Sequence, residues 1–351
     1  MELSPFIRSL LSAAGIPGHE SPVAELISKT WRPLADELHT TRLGSLHALR
    51  RGGMPAPRRS LLLSAHMDAI GMMVAGFEDG FLRMTNAGQI DPRLLPGQRV
   101  TVHARQPLQG VIVSRPGALM PDDEKRNAAG LDHLLLDVGL PARRLRQLVQ
   151  VGDVVTFANE PVELGEGILT GHSLDNRASI AALTLILDAL RTKPHAWDVW
   201  CAATTQEETS YAGGVTSANI LQPDLAIILD VTFGQAPGAH TWEYFPLGGG
   251  PTLGVGPHIN PFLQKRLKEL AEKLEIPFSI EPMPETSMTE AEFIQLSNSG
   301  VPTAVLSIPI RYMHSPVEVV ALSDIQRAAH LLTEFALGLE ADFLEKVVWD
   351  D

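Results

Sequence analysis

The sequence predicts an α/β fold, in which a three-layer α/β/α domain carries an inserted small β-rich, barrel-like domain. Helical and apolar strand-like segments alternate at both ends of the chain, which is typical of a sheet covered by helices on both faces. From about Ile70 to Leu169 the segments are instead short, strand-like and separated by turn residues. We therefore assign residues 1–69 and 169–351 to the larger domain and residues 70–168 to the insert.

The composition supports this prediction and limits the possible partners. The chain has 351 residues, of which 44% are hydrophobic and 20% charged, so it can fill two cores and is not disordered in bulk. Its 41 acidic residues exceed its 28 basic residues, which argues against binding to nucleic acid or to an anionic membrane. The single cysteine, Cys201, excludes an intrachain disulfide and fits a reducing compartment. With no membrane-length apolar run and no basic leader, we expect a cytoplasmic protein.

The first segment contains two helices and two strands. Ser4-Pro5 predicts a helix with Ser4 as its N-cap, and Gly15 is expected to end it. Ser21-Pro22 repeats this pattern before a second helix. The stretches LGSLHALRRG and RRSLLLSAHMD then have the apolar pattern of strands.

The insert has four clear strand-like stretches. They are GFEDGFLRM, GQRVTVHA, QGVIVS and VGDVVTFA, and only PARRLRQLV is predicted to be helical.

The alternation resumes at Gly171. Asn260 is predicted to cap the helix that begins at Pro261, and Thr289 with Glu292 predicts a capping box before AEFIQLS. The other predicted helices are SLDNRASIAALTLILDALR, SYAGGVTSANIL and SDIQRAAHLLTEFALGL, and the predicted strands are WDVWCAATTQEE, PDLAIILDV and VPTAVLSIPIRY.

Metal-ligand side chains follow four of the predicted buried strands. His66 and Asp68 follow one strand, Glu207-Glu208 another, Asp230 a third and His314 a fourth. In open α/β sheets, ligands bind at the carboxyl ends of the strands, so we expect these side chains to meet at one edge. Asp175 precedes the helix that follows GHSLDN and is expected at the same edge. Histidines and carboxylates together suit Zn, Co or Mn.

Each of these residues also has an ordinary structural explanation. An isolated Asp175 or Asp230 is typical of a turn or an N-cap, and His314 precedes a turn-forming Ser-Pro pair. If the strand continued through Glu207 and Glu208, their side chains would point to opposite faces and one would be buried. A bound metal would offset the cost of burying that charge. We set aside His172, which is not at a strand end, and interpret the remaining histidines as surface or satisfied core residues: His19, His39, His47, His103, His133, His195, His240, His258 and His330.

Several stretches together resemble the dinuclear metallo-aminopeptidases of the glutamyl/deblocking aminopeptidase family, the tetrahedral aminopeptidases, some of which carry a cellulase label. The matching pieces run almost from end to end: AAGIPGHESPVAELI, LLLSAHMDAIGMMV, LLPGQRVTV, LDVG, VQVGDVVTF, HSLDNRA, TTQEET, ILDVTFGQAPG, LGGGPTLGVGP and SIPIRYMHSPVEVVALSDI.

The resemblance implies two divalent metal ions per chain, Zn or Co, with Mn also suited. One would be held by His66, Asp175 and Asp230, and the other by Asp175, Glu208 and His314, so that Asp175 bridges them. Asp68 would fix the His66 imidazole. Glu207 would be the general base that acts on water held by both metals. The insert would be a dimerisation domain, and the dimers would build a dodecamer.

The sequence therefore predicts an aminopeptidase that removes N-terminal residues from short peptides with a free N-terminus. Three alternatives remain open: a glycoside hydrolase with Glu207 as acid or base, a metal-dependent deacylase, and a weakly active assembly protein on the same scaffold. The chain departs from the family pattern at five positions, which bear on substrate recognition more than on metal binding: Ala69, Asn176, Ser179, Gln235 and Glu290.

Overall fold

The computed structural model describes residues 2–115, 118, 130–239 and 242–349, and in them one large sheet and one closed barrel. The barrel contains six strands: β4 (Gly71–Glu78), β5 (Phe81–Ala87), β6 (Arg99–His103), β7 (Pro107–Ser114), β8 (Leu134–Asp137) and β9 (Val154–Phe157).

The large sheet contains eleven strands. They are β1 (Glu37–Thr40), β2 (Leu46–Arg50), β3 (Ser60–His66), β10 (Val162–Glu163), β11 (Ile168–Gly171), β12 (Asp198–Thr204), β13 (Leu225–Phe233), β14 (Thr252–Val255), β15 (Ser279–Pro282), β16 (Thr303–Arg311) and β17 (Glu318–Ala321).

The α-helices of the described residues are α1 (Leu3–Ser12), α2 (Ser21–Trp31), α3 (Ala142–Leu148), α4 (Leu174–Leu190), α5 (Glu207–Ser210), α6 (Ala212–Leu221), α7 (Pro261–Lys273), α8 (Ala291–Ile294) and α9 (Leu322–Leu337). Within the described residues, no helix is long and apolar enough to cross a membrane.

The sheet has a parallel centre flanked by antiparallel strands. Its order is β1-β2-β12-β3-β13-β16-β17-β11-β10, with β14 paired to β16 and β15 paired to β14. Strands β12, β3, β13 and β16 are mutually parallel neighbours, so their carboxyl ends lie at one edge of the sheet. This is the edge at which α/β proteins bind their ligands.

Helices cover both faces of the sheet, which confirms the three-layer prediction. Helices α1, α2, α4, α7 and α9 pack with Leu63 and Leu229 on one face, and α6 and α8 pack with Leu62 and Ile228 on the other. Because side chains alternate along a strand, His66 lies on the same face as Leu62, and Asp230 on the same face as Ile228. The two residues therefore project towards the same side of the sheet.

The barrel has its own hydrophobic core, so the predicted β-rich insert is confirmed as a fold feature. Val100, Leu136 and Val155 are fully buried in it, and Leu145 of α3 packs against them. The barrel strands run from Gly71 to Phe157. Strand β10 lies within the predicted insert range of 70–168, yet it pairs with β11 of the large sheet.

The predicted helix starts are only partly right. Helix α1 begins at Leu3 rather than after Ser4 and ends at Ser12 rather than Gly15, and α2 has Glu20 in the capping position. Neither helix has a capping side-chain bond, since glutamate, which is not a preferred N-cap residue, occupies both capping positions, Glu2 and Glu20.

The Asn260 cap of α7 is confirmed, since its side chain accepts the Leu263 N–H at 3.1 Å. The capping box before α8 is shifted. Thr289 accepts the Ala291 N–H at 3.2 Å, and Glu292 accepts the N–H of Met288, not that of Thr289, at 2.8 Å.

Candidate metal centre

The carboxyl edge of the sheet brings together the residues predicted to bind metal. His66 ends β3, and Asp230 lies in the last half of β13. Asp175 is in the first turn of α4, directly after β11, and its φ and ψ angles are not helical. His314 lies between β16 and β17 with a φ of 59°. Only Asp230 lies inside a strand, so the site is built mainly from the segments where strands end.

The Glu207–Glu208 pair does not continue strand β12, so the predicted strand WDVWCAATTQEE is too long and the condition for alternating side chains is not met. The strand ends at Thr204, and Gln206 adopts a left-handed conformation with a φ of 59°. This residue turns the chain, and α5 begins at Glu207. Both side chains are buried against the site, with exposed fractions of 10% for Glu207 and 4% for Glu208.

The Asp175 carboxylate lies between two imidazoles. Its Oδ1 is 3.2 Å from Nε2 of His66, and its Oδ2 is 3.2 Å from Nε2 of His314. Each oxygen thus faces a different histidine, which is the arrangement that a carboxylate bridging two cations requires.

The remaining acids divide between the two histidines. Asp230 Oδ1 and Glu207 Oε2 are each 3.7 Å from His66 Nε2, whereas Glu208 Oε2 is 3.4 Å from His314 Nε2. Potential ligand atoms lie within 4.8 Å of one another in two groups, His66–Glu207–Asp230 and Asp175–Glu208–His314. Glu207, predicted as a base, is therefore also within reach of the first group.

Burial of several carboxylates raises their pKa values. Burial and the negative charge of Asp175 raise the pKa of Glu208 to about 8. Burial also raises the pKa of Glu207 well above its usual value, despite the neighbouring His66, and the pKa of Asp230 rises for the same reason. Without counterions these groups resist ionisation together.

The pKa values of the two imidazoles also rise, but the cause is the neighbouring carboxylates and not burial. Although burial lowers it, the contacts with Asp175 raise the pKa of His314 to about 9. Glu207 and Asp175 likewise raise the pKa of His66 against the effect of burial. The pKa of Asp175 falls, because the two imidazoles outweigh its burial. Protonated His66 and His314 thus supply positive charge that balances part of the negative charge of the carboxylates.

The donor atoms and the charges of these side chains fit divalent cations. Four buried carboxylates and two imidazoles converge, and Glu208 Oε1 is buried with no hydrogen-bond partner. Such a mixed set of oxygen and nitrogen donors suits Zn, Co or Mn. His66, Asp175 and Asp230 could hold one ion, and Asp175, Glu208 and His314 the other.

Asp68 contacts the site in a way that the sequence did not predict. Its carboxylate oxygens accept the backbone N–H groups of Glu207 and Glu208 at 3.1 and 3.2 Å, and the residue is fully buried. His66 Nδ1 lies 3.1 Å from the Asp68 carbonyl oxygen and 3.6 Å from its carboxylate. Asp68 therefore holds the first turn of α5 with its side chain and orients His66 mainly with its backbone.

Glu318 is a buried residue of the site that sequence reasoning missed. Its Oε1 accepts the His314 N–H at 3.0 Å, and its Oε2 accepts the Asp175 N–H at 3.2 Å. It is 1% exposed, and burial and Asp175 raise its pKa. The available signal was an acid inside the otherwise apolar stretch VEVVA, whose last four residues form the buried strand β17. One carboxylate thus fixes the backbone of two candidate ligands from different segments.

A cavity of about 620 Å³ opens over these residues, and among the described histidines only His66 and His314 line it. Two other histidines are buried away from this cavity: His47 is bonded to Ser217 at 2.8 Å, and His172 packs against the Phe157 ring. The prediction for His240 concerns a residue outside the described ranges.

A model of the family described as M42 glutamyl aminopeptidase matches residues 44–331. The chain belongs to this family. The resemblance inferred from its sequence stretches is thereby confirmed, and the chain is a metal-dependent aminopeptidase.

Relatives of this M42 aminopeptidase match over nearly its whole length. A lysyl aminopeptidase of Pyrococcus furiosus is 31% identical over 93% of this chain and 94% of its own. The crystal structure of a TET aminopeptidase from a marine sediment archaeon of the Thaumarchaeota superimposes with a TM-score of 0.93 at 26% identity, covering 99% of both chains. A Pyrococcus horikoshii TET1 peptidase, described as assembling into a tetrahedron or a large octahedral shell, has a TM-score of 0.82 at 27% identity over 96% of this chain and all of its own.

Two departures from the M42 pattern contact the strand that carries Asp230. The Asn176 amide donates to the Leu229 carbonyl at 2.9 Å, and the Ser179 hydroxyl donates to the Asp230 carbonyl at 3.2 Å. Both residues are fully buried. An ionised aspartate at position 176 could not donate this bond, and glycine at 179 could not make the other. These substitutions therefore tie α4 to β13 at the metal centre.

The other three departures lie around this M42 site without holding β13. Glu290 is 1% exposed, accepts the Ser64 hydroxyl at 2.8 Å, and has its pKa raised to about 7 by burial. A Cβ at Gly214 would lie 2.6 Å from the Glu290 carboxyl carbon, so the longer acid requires glycine there. Ala69 is buried, and Gln235 is exposed beyond the end of β13.

Proposed function

We propose that this M42 aminopeptidase removes N-terminal residues from short peptides with a free N-terminus, using a dinuclear metal centre. The observation that carries the proposal is the Asp175 carboxylate, whose two oxygens each lie 3.2 Å from a different histidine, His66 and His314. A carboxylate whose two oxygens face two different imidazoles can join two cation sites.

In this proposal His66, Asp175 and Asp230 hold one ion, and Asp175, Glu208 and His314 hold the other. When bound, such ions polarise the scissile carbonyl and lower the pKa of water. Zn and Co are the proposed ions, and Mn suits the same donors.

Glu207 is the proposed general base. It lies beside His66, is bound to Asp68 only through its backbone, and has a pKa that burial raises well above its usual value. A carboxylate with such a pKa can take a proton from the attacking water and return it to the leaving amine. The proposal thus gives adjacent acids different tasks: Glu208 binds metal, and Glu207 moves the proton.

The matched pair Glu207→Gln and Glu208→Gln tests this division. We expect Glu207→Gln to retain two metal ions and the fold, yet to lose at least about 10²-fold in kcat. Glu208→Gln should lose one ion by elemental analysis. If the two variants showed each other's phenotypes, the assigned roles would be reversed.

Recognition of the peptide N-terminus is tested with a matched set of peptides. Free, N-acetylated and C-amidated forms of one short peptide should be assayed with Zn, Co and Mn. We expect the free and C-amidated forms to be cleaved and the acetylated form to be cleaved slowly or not at all. Equal rates on free and acetylated peptides would refute recognition of a free N-terminus and leave the metallohydrolase intact.

Self-association through the barrel is a further part of the proposal, with dimers that build a dodecamer. The tetrahedral assembly described for the Pyrococcus horikoshii relative supports it. On the barrel unit, Leu94 and Val151 leave large apolar side chains 43% and 61% exposed, which is consistent with a surface that is covered in an assembly. Light scattering of the full chain is the test, and a monomer would contradict this part alone.

The glycoside hydrolase and idle-scaffold alternatives are not favoured. A glycosidase needs a carboxylate pair but has no use for His66 and His314 beside it. An idle scaffold would not be expected to keep four buried carboxylates together, because such a cluster is costly without cations.

A further inference from the structure

Glu20 is a buried carboxylate that does not line the cavity over the metal centre, yet it contacts the chain next to the proposed base. It lies between α1 and α2, directly before α2, and is 5% exposed. Its Oε1 accepts the backbone N–H of Gln206 at 3.1 Å, from 186 positions away in the chain. Gln206 immediately precedes Glu207, so this bond attaches the first segment of the chain to the start of α5.

A second bond orients the Glu20 side chain. The same Oε1 accepts the N–H of Gly18 at 2.8 Å, which holds the carboxylate against its own loop. Burial raises the pKa of Glu20, and the N–H bonds oppose this rise. Both bonds use one oxygen, and Oε2 bonds to no other described residue. The contact with Gln206 therefore needs one acceptor oxygen and does not depend on the negative charge.

Gln206 is the residue whose backbone angles direct the chain from β12 into α5. Strand β12 ends at Thr204, and Gln206 has a φ of 59° and a ψ of 29°, a left-handed conformation that residues other than glycine rarely adopt. Such a conformation persists where the surrounding contacts enforce it. A change in either angle would swing α5, and Glu207 with it, relative to the sheet.

Two carboxylates hold the peptide groups on either side of Gln206. Because a peptide group is planar, a bond to its N–H restrains the orientation of the whole group. Glu20 accepts the N–H of the peptide group before the Gln206 α-carbon, and Asp68 accepts the Glu207 N–H, in the group after it, at 3.1 Å. The two acceptors thus restrain φ and ψ of Gln206 together, whereas Asp68 alone would restrain only one side.

We propose that Glu20 is a positioning residue that places the general base Glu207 by holding the backbone of Gln206. This inference rests on the proposed function, in which Glu207 is the base, and adds the residue that determines where the base stands. Glu207 depends on its backbone for position, because its side chain makes no hydrogen bond to another described residue and its Oε2 lies 3.7 Å from His66 Nε2.

The test is a double-mutant cycle on metal-loaded protein, with the unmodified chain, Glu20→Ala, Glu207→Gln and the double variant. We expect Glu20→Ala to lower kcat about 10–100-fold, with KM and metal content nearly unchanged, since a misplacement of about 1 Å can cost about 10²-fold. In the Glu207→Gln background, Glu20→Ala should change the residual kcat by less than about twofold, because the base that it positions is already absent. Residues that act independently would instead give losses that multiply.

Two further variants separate the acceptor oxygen from the charge and from the surroundings. Glu20→Gln keeps an acceptor oxygen and should retain most of kcat. Glu25→Ala is the matched control, because Glu25 is an exposed glutamate of α2 that lines the same cavity of about 780 Å³ as Glu20, and kcat should not change. If Glu20→Ala is poorly folded, Glu20→Asp, whose carboxylate stem is one carbon shorter, replaces it in the cycle.

The outcomes separate this inference from the proposed function. Equal fractional losses from Glu20→Ala with and without Glu207 would refute the positioning role and leave the aminopeptidase intact. So would an unchanged kcat in folded, metal-loaded Glu20→Ala, or a loss in Glu20→Gln as large as that in Glu20→Ala. If Glu207→Gln itself kept its full kcat, the proposed base would be wrong, and this inference would fail with it.

Discussion

Replacing Glu318 with glutamine tests whether one buried carboxylate positions two ligands of the metal centre. The carboxylate accepts the His314 N–H at 3.0 Å and the Asp175 N–H at 3.2 Å. Glutamine has the same shape, but one of its oxygens becomes an NH2 group that faces a backbone donor. The substitution therefore removes one hydrogen bond to a charged acceptor and leaves one N–H unpaired.

The expected cost follows from these contacts. A bond to a charged acceptor contributes about 1.5–3 kcal/mol, and an unpaired buried N–H costs about 1–3 kcal/mol. Relief from burying the charge offsets part of this loss. We expect the metal-free variant to be less stable by about 2–4 kcal/mol, which a domain of ordinary stability survives. Metal affinity should fall about 10–100-fold, as when outer partners of metal ligands are removed.

Urea unfolding of the chelated protein measures the first effect, and competition with a chromophoric chelator measures the second. Glu345→Gln is the control, because it makes the same chemical change at an exposed position. If Glu318→Gln bound metal within about twofold of the unmodified chain and unfolded within about 0.5 kcal/mol of it, the range of ordinary surface changes, the positioning role would be wrong.

Three further outcomes are expected. Burial lowers the pKa of His47 to about 4, so the folded state favours its neutral form. The free energy of unfolding should therefore decrease by up to about 3 kcal/mol as the pH falls from 6.5 to 4. In urea titrations His47→Gln should flatten this decrease, whereas Ser217→Ala, which keeps the histidine, should not. Asp68→Asn should lower kcat more than it lowers the metal content, because it disturbs the backbone of Glu207 and Glu208. Elemental analysis and steady-state kinetics measure the two effects, and a loss of metal with kcat retained would contradict this expectation. Chelation should abolish peptidase activity and lower Tm, and Zn, Co or Mn should restore both at about two ions per chain by calorimetric titration.

The long, strongly patterned elements could be predicted from the sequence. Strands β3, β13 and β16 and helices α4, α7 and α9 coincide with apolar stretches bounded by turn or capping residues. The edge strands β1 and β10 and the barrel strand β8 were not identified. They are two to four residues long, which is too short to show the alternation of apolar and polar residues that identifies a strand. Their pairing depends on neighbours distant in the chain.

The candidate ligands could be predicted, but how they are held in place could not. His66 and Asp230 were predicted because each follows a buried strand, and the carboxyl ends of such strands meet at the ligand-binding edge of an open α/β sheet. The geometry at Glu207 was wrong because one left-handed residue, Gln206, ends the strand pattern before the acids. The role of Glu318 depends on bonds to residues 4 and 143 positions away along the chain, which no local pattern specifies.

Asp68 and Glu318 perform the same physical task on opposite sides of the centre. Each is a buried carboxylate whose two oxygens accept two backbone N–H groups, those of Glu207 and Glu208 in one case and of Asp175 and His314 in the other. Without such bonds, the ligand side chains could shift together with the loops that carry them. A carboxylate that accepts the backbone N–H groups fixes the backbone position from which each ligand side chain extends. The negative charge needed for this is tolerable beside bound cations and costly without them. Metal binding and backbone positioning therefore depend on each other, and we expect the segments around α5 and His314 to order together when the metals bind.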